Sequence, residues 1–114
     1  SFATSAMSVY ARPPEMRALL ENGYTSRRIR KLGASALELC YVACGRLEAF
    51  LDLRGTLLIT DAAAAILILE EAGGIVSLPT GGPCIFPDDV CAGRCILGAN
   101  KAIHGKIASL MRLL

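Results

Sequence analysis

The chain has 114 residues, of which 54% are hydrophobic and 19% charged, with a net charge of +2. This length suits one domain, and the apolar content excludes an intrinsically disordered segment. The balanced charge argues against a nucleic-acid partner or an anionic membrane surface, and no apolar run is long enough to span a bilayer.

The first half of the chain predicts alternating strands and helices. Residues 5–11 favour a short strand, which the following prolines end because proline lacks a donor for the ladder. Residues 14–23 fit a short helix, and residues 25–33 an extended segment. Residues 34–47 predict a helix, and we expect its buried face to be the apolar set spaced three or four positions apart: Leu37, Cys40, Tyr41, Cys44 and Leu47.

The centre of the chain contains the clearest helix. Residues 48–53 predict a strand with alternating faces, and residues 54–59 a loop. Residues 61–74 then predict a helix that Thr60 or Asp61 caps and two glycines end. Because this helix is apolar nearly all round, we expect it to be buried on most sides.

The last third predicts two more strands and a final helix. Residues 74–78 favour a short strand followed by a turn, and residues 87–93 a loop. Residues 94–99 favour a buried strand, and Asn100 is the cap of the last helix. The alternation predicts an α/β domain spanning residues 1–114, with layered α/β(/α) architecture and a mostly parallel or mixed sheet.

Asp61 stands alone at the head of the apolar run. A carboxylate at a helix N-terminus is favoured by the macrodipole and by the free backbone N–H groups, so capping is the simplest interpretation. The alternative is that Asp61 binds a hard cation such as Mg²⁺, which prefers carboxylates. Both hold if one oxygen caps the helix while the other binds metal.

A second candidate site lies where the helix of residues 34–47 begins. Gly33 allows a backbone to approach a ligand closely, and the N–H groups of Ala34 and Ser35 can bind an anion. Four cations precede it within residues 27–31, as phosphate ligands or as a solvated face. Asp52 is either an acceptor for substrate hydroxyls or a solvent-facing strand residue.

The five cysteines predict no disulfide framework. Their number is odd, and Cys40 and Cys44 lie within a helical pattern, which favours reduced, buried thiols and a cytoplasmic protein. The two lie one helical turn apart, as metal ligands can, but small core residues are the simpler interpretation. His104, the only histidine, has no partner nearby in sequence, and we expect it on the surface.

The motifs together resemble the C-terminal half of the inositol monophosphatase family, the Mg²⁺-dependent phosphomonoesterases. The resemblance rests on three stretches, in this order: a Gly-x-x-Ala-Leu helix start at residue 33, an Asp followed by small residues, an aliphatic run and Glu-Ala-Gly-Gly at residues 61–74, and Ile-Leu-Gly-Ala-Asn at residues 96–100. It is closest to archaeal members, often active on both inositol monophosphate and fructose 1,6-bisphosphate. It implies their fold.

The resemblance also implies roles for individual residues. Asp61 matches the aspartate that binds Mg²⁺ and contacts substrate, and residues 33–35 match the loop that approaches substrate through its main chain. Asp52 matches an acidic residue that hydrogen-bonds substrate hydroxyls. Arg30 lies where sugar-bisphosphatase members place a phosphate-binding arginine. Ala34 and Ala65 depart from the commoner Ser or Thr and Gly of the family.

The family's remaining metal ligands, a Glu and an Asp-Pro-x-Asp-Gly-Thr/Ser segment, have no counterpart in this sequence. One carboxylate does not suffice for two divalent ions. We therefore expect a C-terminal phosphatase domain that is inactive alone. Its expected partners are the N-terminal half, a phosphorylated sugar or inositol, and a second copy in a full-length homodimer. The alternatives are a non-catalytic module that binds a phosphorylated ligand or a protein, and an NADP phosphatase in the full-length protein.

Overall fold

Strands and helices alternate along the computed structural model, which describes residues 2–4, 7–21, 24–26, 29–30, 34–84 and 94–113. The strands are β1 (Phe2–Thr4), β2 (Met7–Tyr10), β3 (Tyr24–Ser26), β4 (Ile29–Arg30), β5 (Ala49–Leu57), β6 (Ile75–Ser77) and β7 (Arg94–Ala99). The helices are α1 (Pro13–Glu21), α2 (Ser35–Ala43), α3 (Ile59–Glu71) and α4 (Lys101–Leu113). The predicted loop of residues 87–93 lies outside the described residues.

The main sheet has five strands in the order β4-β2-β5-β7-β6. Strand β2 pairs in parallel with β4 and β5, and β7 pairs antiparallel with β5 and β6. A further parallel pair joins β1 to β3. The predicted α/β fold with a mixed sheet is confirmed.

Helices cover both faces of this sheet. On one face, alternate side chains of β2, β5 and β7 pack against α4 and Met16 of α1. On the other face, Phe50 of β5 and Ile96 of β7 pack against α2 and α3. The central strands β2, β5 and β7 therefore contribute to a core on each face, as expected for layered α/β architecture.

The parallel strands bring three helix N-termini to one edge of the sheet. Helix α1 follows β2, α2 follows β4 and α3 follows β5, and these three strands run in the same direction. In open α/β sheets, ligands bind in the crevice outside the carboxyl ends of such strands. We call this side of the sheet the carboxyl edge, and α4, which follows the antiparallel β7, begins at the opposite side.

The predicted apolar face of α2 is confirmed only in part, since Leu47 is buried and Cys40 and Tyr41 pack against the core. The buried side chains of the helix are Glu38, Leu39 and Val42, whereas Leu37 is 44% exposed and Cys44 is exposed. Gly98 of β7 provides the reason, because a Cβ there would lie 2.7 Å from Leu39 Cδ2. The missing side chain lets Leu39 reach the sheet.

Strand β5 continues into the predicted loop of residues 54–59. It ends at Leu57, which pairs with Arg94, and the register with β7 shifts between Asp52 and Leu57. Gly55 has a φ of 75°, which glycine adopts without steric cost, so the chain bulges here and then resumes the ladder.

Helix α3 also departs from the predicted boundaries and burial. It begins at Ile59, with Leu58 as N-cap in place of Thr60 or Asp61. Its buried side chains are Ala62, Ala65 and Leu69, while Leu67 is 59% and Ile68 is 49% exposed. The helix is therefore covered on one side only, which corrects the prediction that it is buried on most sides.

Candidate functional site

Asp61 is an exposed carboxylate in the first turn of α3, at the carboxyl edge. Its Oδ2 accepts a hydrogen bond from the Leu58 N–H at 3.4 Å, a long distance for such a bond. Asp61 thus caps the helix by reaching back to the N-cap backbone, which is the N3 role in a capping box. The weak capping bond and the exposure leave this carboxylate accessible to a cation.

Asp52 is not a solvent-facing strand residue, because it is 0% exposed. Its Oδ1 accepts hydrogen bonds from the backbone N–H and the Nε–H of Arg54, both at 3.0 Å, and its Oδ2 accepts one from Arg54 Nη2 at 2.9 Å. Both carboxylate oxygens are therefore engaged by one neighbour. The hydrogen bond to Asp52 is the largest of the effects that raise the pKa of Arg54 above its usual value.

Tyr10 connects this ion pair to the first turn of α2. The Arg54 guanidinium carbon lies 4.2 Å from the centre of the Tyr10 ring, within cation–π range. The Tyr10 hydroxyl donates a 2.9 Å hydrogen bond to Glu38 Oε1, and Glu38 is 0% exposed. Register agrees with this arrangement, since Tyr10 of β2 lies opposite Asp52 of β5. The four side chains form one contiguous polar cluster on the α2 side of the sheet.

The N-terminus of α2 carries no side-chain cap. Ala34 is the N-cap residue, and its methyl group accepts no hydrogen bond, while Ser35 is half-buried. The N–H groups of the first turn have no acceptor within the helix and are available to an anion. Gly33 lies outside the described residues, and of Arg30 the structure gives only the backbone, which pairs with Ser8 in the sheet.

Within the described ranges, no group of three or more His, Cys, Asp or Glu side chains is arranged to hold a metal ion. Asp61 is available as a ligand, whereas Asp52 is occupied by Arg54. Of the two aspartates predicted to belong to the site, Asp61 alone can therefore contribute to a divalent cation, and one carboxylate is fewer ligands than such a cation needs in place of its waters.

The histidine and cysteine predictions are partly wrong. His104 is half-buried, and its Nε2 lies 2.7 Å from Ser77 Oγ. Burial, and to a lesser extent Arg112, lowers the pKa of His104. Cys44 is an exposed thiol, and Cys40 is half-buried against the α2–α3 core, as a small core residue would be.

Sequence reasoning missed the polar cluster apart from Asp52. Arg54 falls within the stretch predicted as a loop, and Glu38 lies outside the apolar set taken as the buried face of α2. A usable signal was present for Arg54. It follows Asp52 by two residues, a spacing that places both on the same face of a strand.

Comparison with known proteins identifies the family of this chain and several phosphatase relatives. A model of the inositol monophosphatase family matches residues 2–113. The chain is 45% identical over 89 residues to a fructose-1,6-bisphosphatase/inositol-1-monophosphatase of Methanothermobacter thermautotrophicus, a match covering 77% of this chain and 32% of that protein. It is 39% identical over 84 residues to a bifunctional NADP phosphatase/NAD kinase of Methanococcus maripaludis, covering 74% of this chain and 15% of that protein.

Solved structures agree on the fold. A hypothetical protein from Pyrococcus horikoshii with similarities to inositol-1 monophosphatase superposes with a TM-score of 0.77 at 31% identity, over 96% of this chain and 42% of that one. The chain thus spans less than half the length of each of these relatives. Within the part of the chain that the structure describes, no helix is long and apolar enough to cross a membrane.

Proposed function

The chain belongs to the inositol monophosphatase family, and we propose that it supplies the C-terminal part of a Mg²⁺-dependent phosphomonoesterase. The observation that carries the proposal is Asp61, the acidic residue of the family-specific motif. It is exposed in the first turn of α3, at the edge of the sheet where α1 and α2 also begin. That edge is where α/β folds of this kind bind ligands.

Asp61 is the proposed metal ligand and catalytic residue. Its weak hydrogen bond to the Leu58 N–H fixes the side chain without using its full acceptor capacity. When bound, Mg²⁺ would activate a water molecule and stabilise the leaving oxygen of the phosphate ester. The other ligands would come from the N-terminal half of the same enzyme, because no group of three or more His, Cys, Asp or Glu side chains among the described residues is arranged to hold a metal ion.

The uncapped first turn of α2 is the proposed substrate-positioning element. The N–H groups of Ala34 and Ser35 would donate hydrogen bonds to the substrate, with Gly33 permitting close approach of the main chain. Arg30 is a further proposed phosphate ligand, since β4 runs toward the same edge. Phosphorylated sugars, inositol phosphate and NADP are the candidate substrates, because the names of the relatives include all three classes.

The proposed partner is the N-terminal half of the same enzyme, in a full-length homodimer. Exposed apolar side chains on α2 and α3 support this: Leu37, Leu67 and Ile68. Large side chains of this kind on neighbouring helices suit a protein contact. A cytoplasmic location remains part of the proposal.

A non-catalytic module that binds a phosphorylated ligand is the second candidate. It is favoured by the lack of a complete ligand set among the described residues. The two functions differ in turnover. A phosphatase that contains this chain releases inorganic phosphate from inositol 1-phosphate or fructose 1,6-bisphosphate with Mg²⁺, whereas a binding module retains the ligand unchanged.

The test of Asp61 is a Mn²⁺ titration followed by NMR, which reads metal binding without activity. Paramagnetic broadening should begin at the first turn of α3, with affinity on the order of millimolar for an incomplete site. Asp61→Asn should abolish it. Glu71→Gln, which removes an exposed carboxylate at the other end of α3, is the matched control and should leave it unchanged. Broadening that persists in Asp61→Asn removes the metal site from the proposal.

A further inference from the structure

Asp52 does not have a free oxygen to offer to a substrate hydroxyl. The carboxylate is 0% exposed, and Arg54 bonds to both of its oxygens with its Nε–H and Nη2–H groups. The backbone N–H of Arg54 adds a third hydrogen bond. A substrate that reached Asp52 directly would have to displace a charge-assisted pair of bonds, which are among the stronger ones in proteins.

Arg54, unlike Asp52, has hydrogen-bonding groups left to bind a ligand. A guanidinium has five N–H donors, of which Asp52 takes two, on the Nε–Nη2 edge. Three donors remain, and one from Nη1 and one from Nη2 form the parallel fork at the end of the group. The Arg54 side chain is 40% exposed, so a ligand can approach it from solvent. A fork of this geometry matches two oxygens of a phosphate.

The guanidinium is also held in place before any ligand arrives. Its inner edge is fixed by Asp52, and its face lies on the Tyr10 ring. Tyr10 is itself fixed by its hydrogen bond to Glu38, in the first turn of α2. Less side-chain entropy is therefore lost on binding than for a freely rotating arginine. The Asp52–Arg54 pair has no net charge. Its attraction to a phosphate therefore depends on the direction of the remaining N–H donors of Arg54.

We propose that Arg54 is the residue that contacts the substrate at this position and binds the second phosphate of a bisphosphorylated sugar. Asp52 is then a positioning residue that acts through Arg54. The inference rests on the proposed phosphatase function and narrows it, because it makes Arg54 a determinant of preference for a bisphosphate over a monophosphate.

The test compares two ligands that differ by one phosphate, fructose 1,6-bisphosphate and fructose 1-phosphate. Calorimetry without divalent metal measures Kd with no accompanying turnover. The unsubstituted protein should bind the bisphosphate about tenfold more tightly, the scale of one charge-assisted hydrogen bond. Arg54→Lys keeps the charge beside Asp52 but lacks the fork, and should reduce the preference to within about twofold.

A matched control separates the loss of the Arg54 fork from a general effect of replacing an arginine by lysine. Arg46 also lies over a tyrosine ring, 5.6 Å from the centre of Tyr41, but beyond the opposite end of α2. Arg46→Lys should leave both Kd values unchanged. Thermal unfolding of each variant checks that Arg54→Lys remains folded.

A double-mutant cycle tests the positioning role of Asp52. Asp52→Asn should weaken bisphosphate binding in the unsubstituted protein and have no further effect in the Arg54→Lys background. An equal loss in both backgrounds would show that Asp52 meets the ligand itself, which overturns the inference. Equal affinity for the two ligands in the unsubstituted protein overturns it as well, yet leaves the proposed function standing. Binding of neither ligand removes both.

Discussion

The hydroxyl of Tyr10 donates a 2.9 Å hydrogen bond to Glu38 Oε1 and thereby joins β2 to the first turn of α2. The two residues are 28 positions apart in the chain, and Glu38 is fully buried. This bond fixes the start of α2, where substrate is proposed to bind, relative to β2, whose Tyr10 ring lies against the Arg54 guanidinium.

Tyr10→Phe should therefore destabilise the protein. The substitution keeps the ring under Arg54 but removes the donor to a buried carboxylate, which costs about 1–3 kcal/mol. The free energy of unfolding in urea measures it. Tyr41→Phe is the control, because Tyr41 of α2 is half-buried, and it should change the free energy of unfolding little. Equal values for the two variants would contradict the structural role of Tyr10.

Gly98→Ala should also destabilise the protein. A Cβ at this position would lie 2.7 Å from Leu39 Cδ2 and 3.0 Å from Leu69 Cδ2, so both leucines must shift, at a cost of about 1–3 kcal/mol. Gly105→Ala is the opposite case. It is exposed within α4 with nothing within 4 Å, and should stabilise the protein by about 0.5–1 kcal/mol. Urea unfolding of both variants measures whether the free energy of unfolding falls for Gly98→Ala and rises for Gly105→Ala.

The stability of the protein should fall as the pH drops below about 6.5. Burial lowers the pKa of His104 in the folded state below 6.5, so the unfolded state binds more protons between the lowered pKa and 6.5. The contribution is fully present above 6.5 and is lost as the pH falls toward the folded pKa. Urea unfolding from pH 5 to 8 should show a smaller slope for His104→Gln, whose amide can still donate to Ser77. Identical slopes would remove His104 as the cause.

Asp61→Asn should leave the fold almost unchanged. Asp61 is exposed, its bond to the Leu58 N–H is 3.4 Å long, and an asparagine oxygen can still accept it. The expected loss of stability is less than about 1 kcal/mol. Thermal unfolding checks this, and a larger loss would mean that α3 depends on the charge, in which case a loss of metal binding in this variant could not be assigned to the ligand alone.

The exposed apolar pair on α3 should cause self-association when no partner covers it. Leu67 and Ile68 are 59% and 49% exposed. Light scattering at high concentration should show oligomers, which Leu67→Gln/Ile68→Gln should reduce. Leu113→Gln, an exposed leucine at the end of α4, is the control. A clean monomer of the unsubstituted protein would contradict the prediction.

The sequence by itself determined the place of Asp61 and the order of most elements, although it did not predict β1 and merged β3 and β4 into one extended segment. Alternating apolar positions, the glycines after α3 and the Asn100 cap act within a few residues, so local patterns predict them. Asn100 confirms this, since its Oδ1 accepts a hydrogen bond from the Ile103 N–H at 3.0 Å. The motif beginning at Asp61 also identified the family, which the match over residues 2–113 confirms.

Only the tertiary structure decided which residues of the cluster meet. The face of α2 that is buried depends on the space above Gly98, on a strand 59 positions after Leu39, and the apolar spacing of the helix carries no trace of it. The bulge at Gly55 extends β5, and Arg54 then closes over Asp52. A carboxylate that the motif offered to substrate is thereby paired, because burying a charge is favourable only when a partner of opposite charge is held beside it.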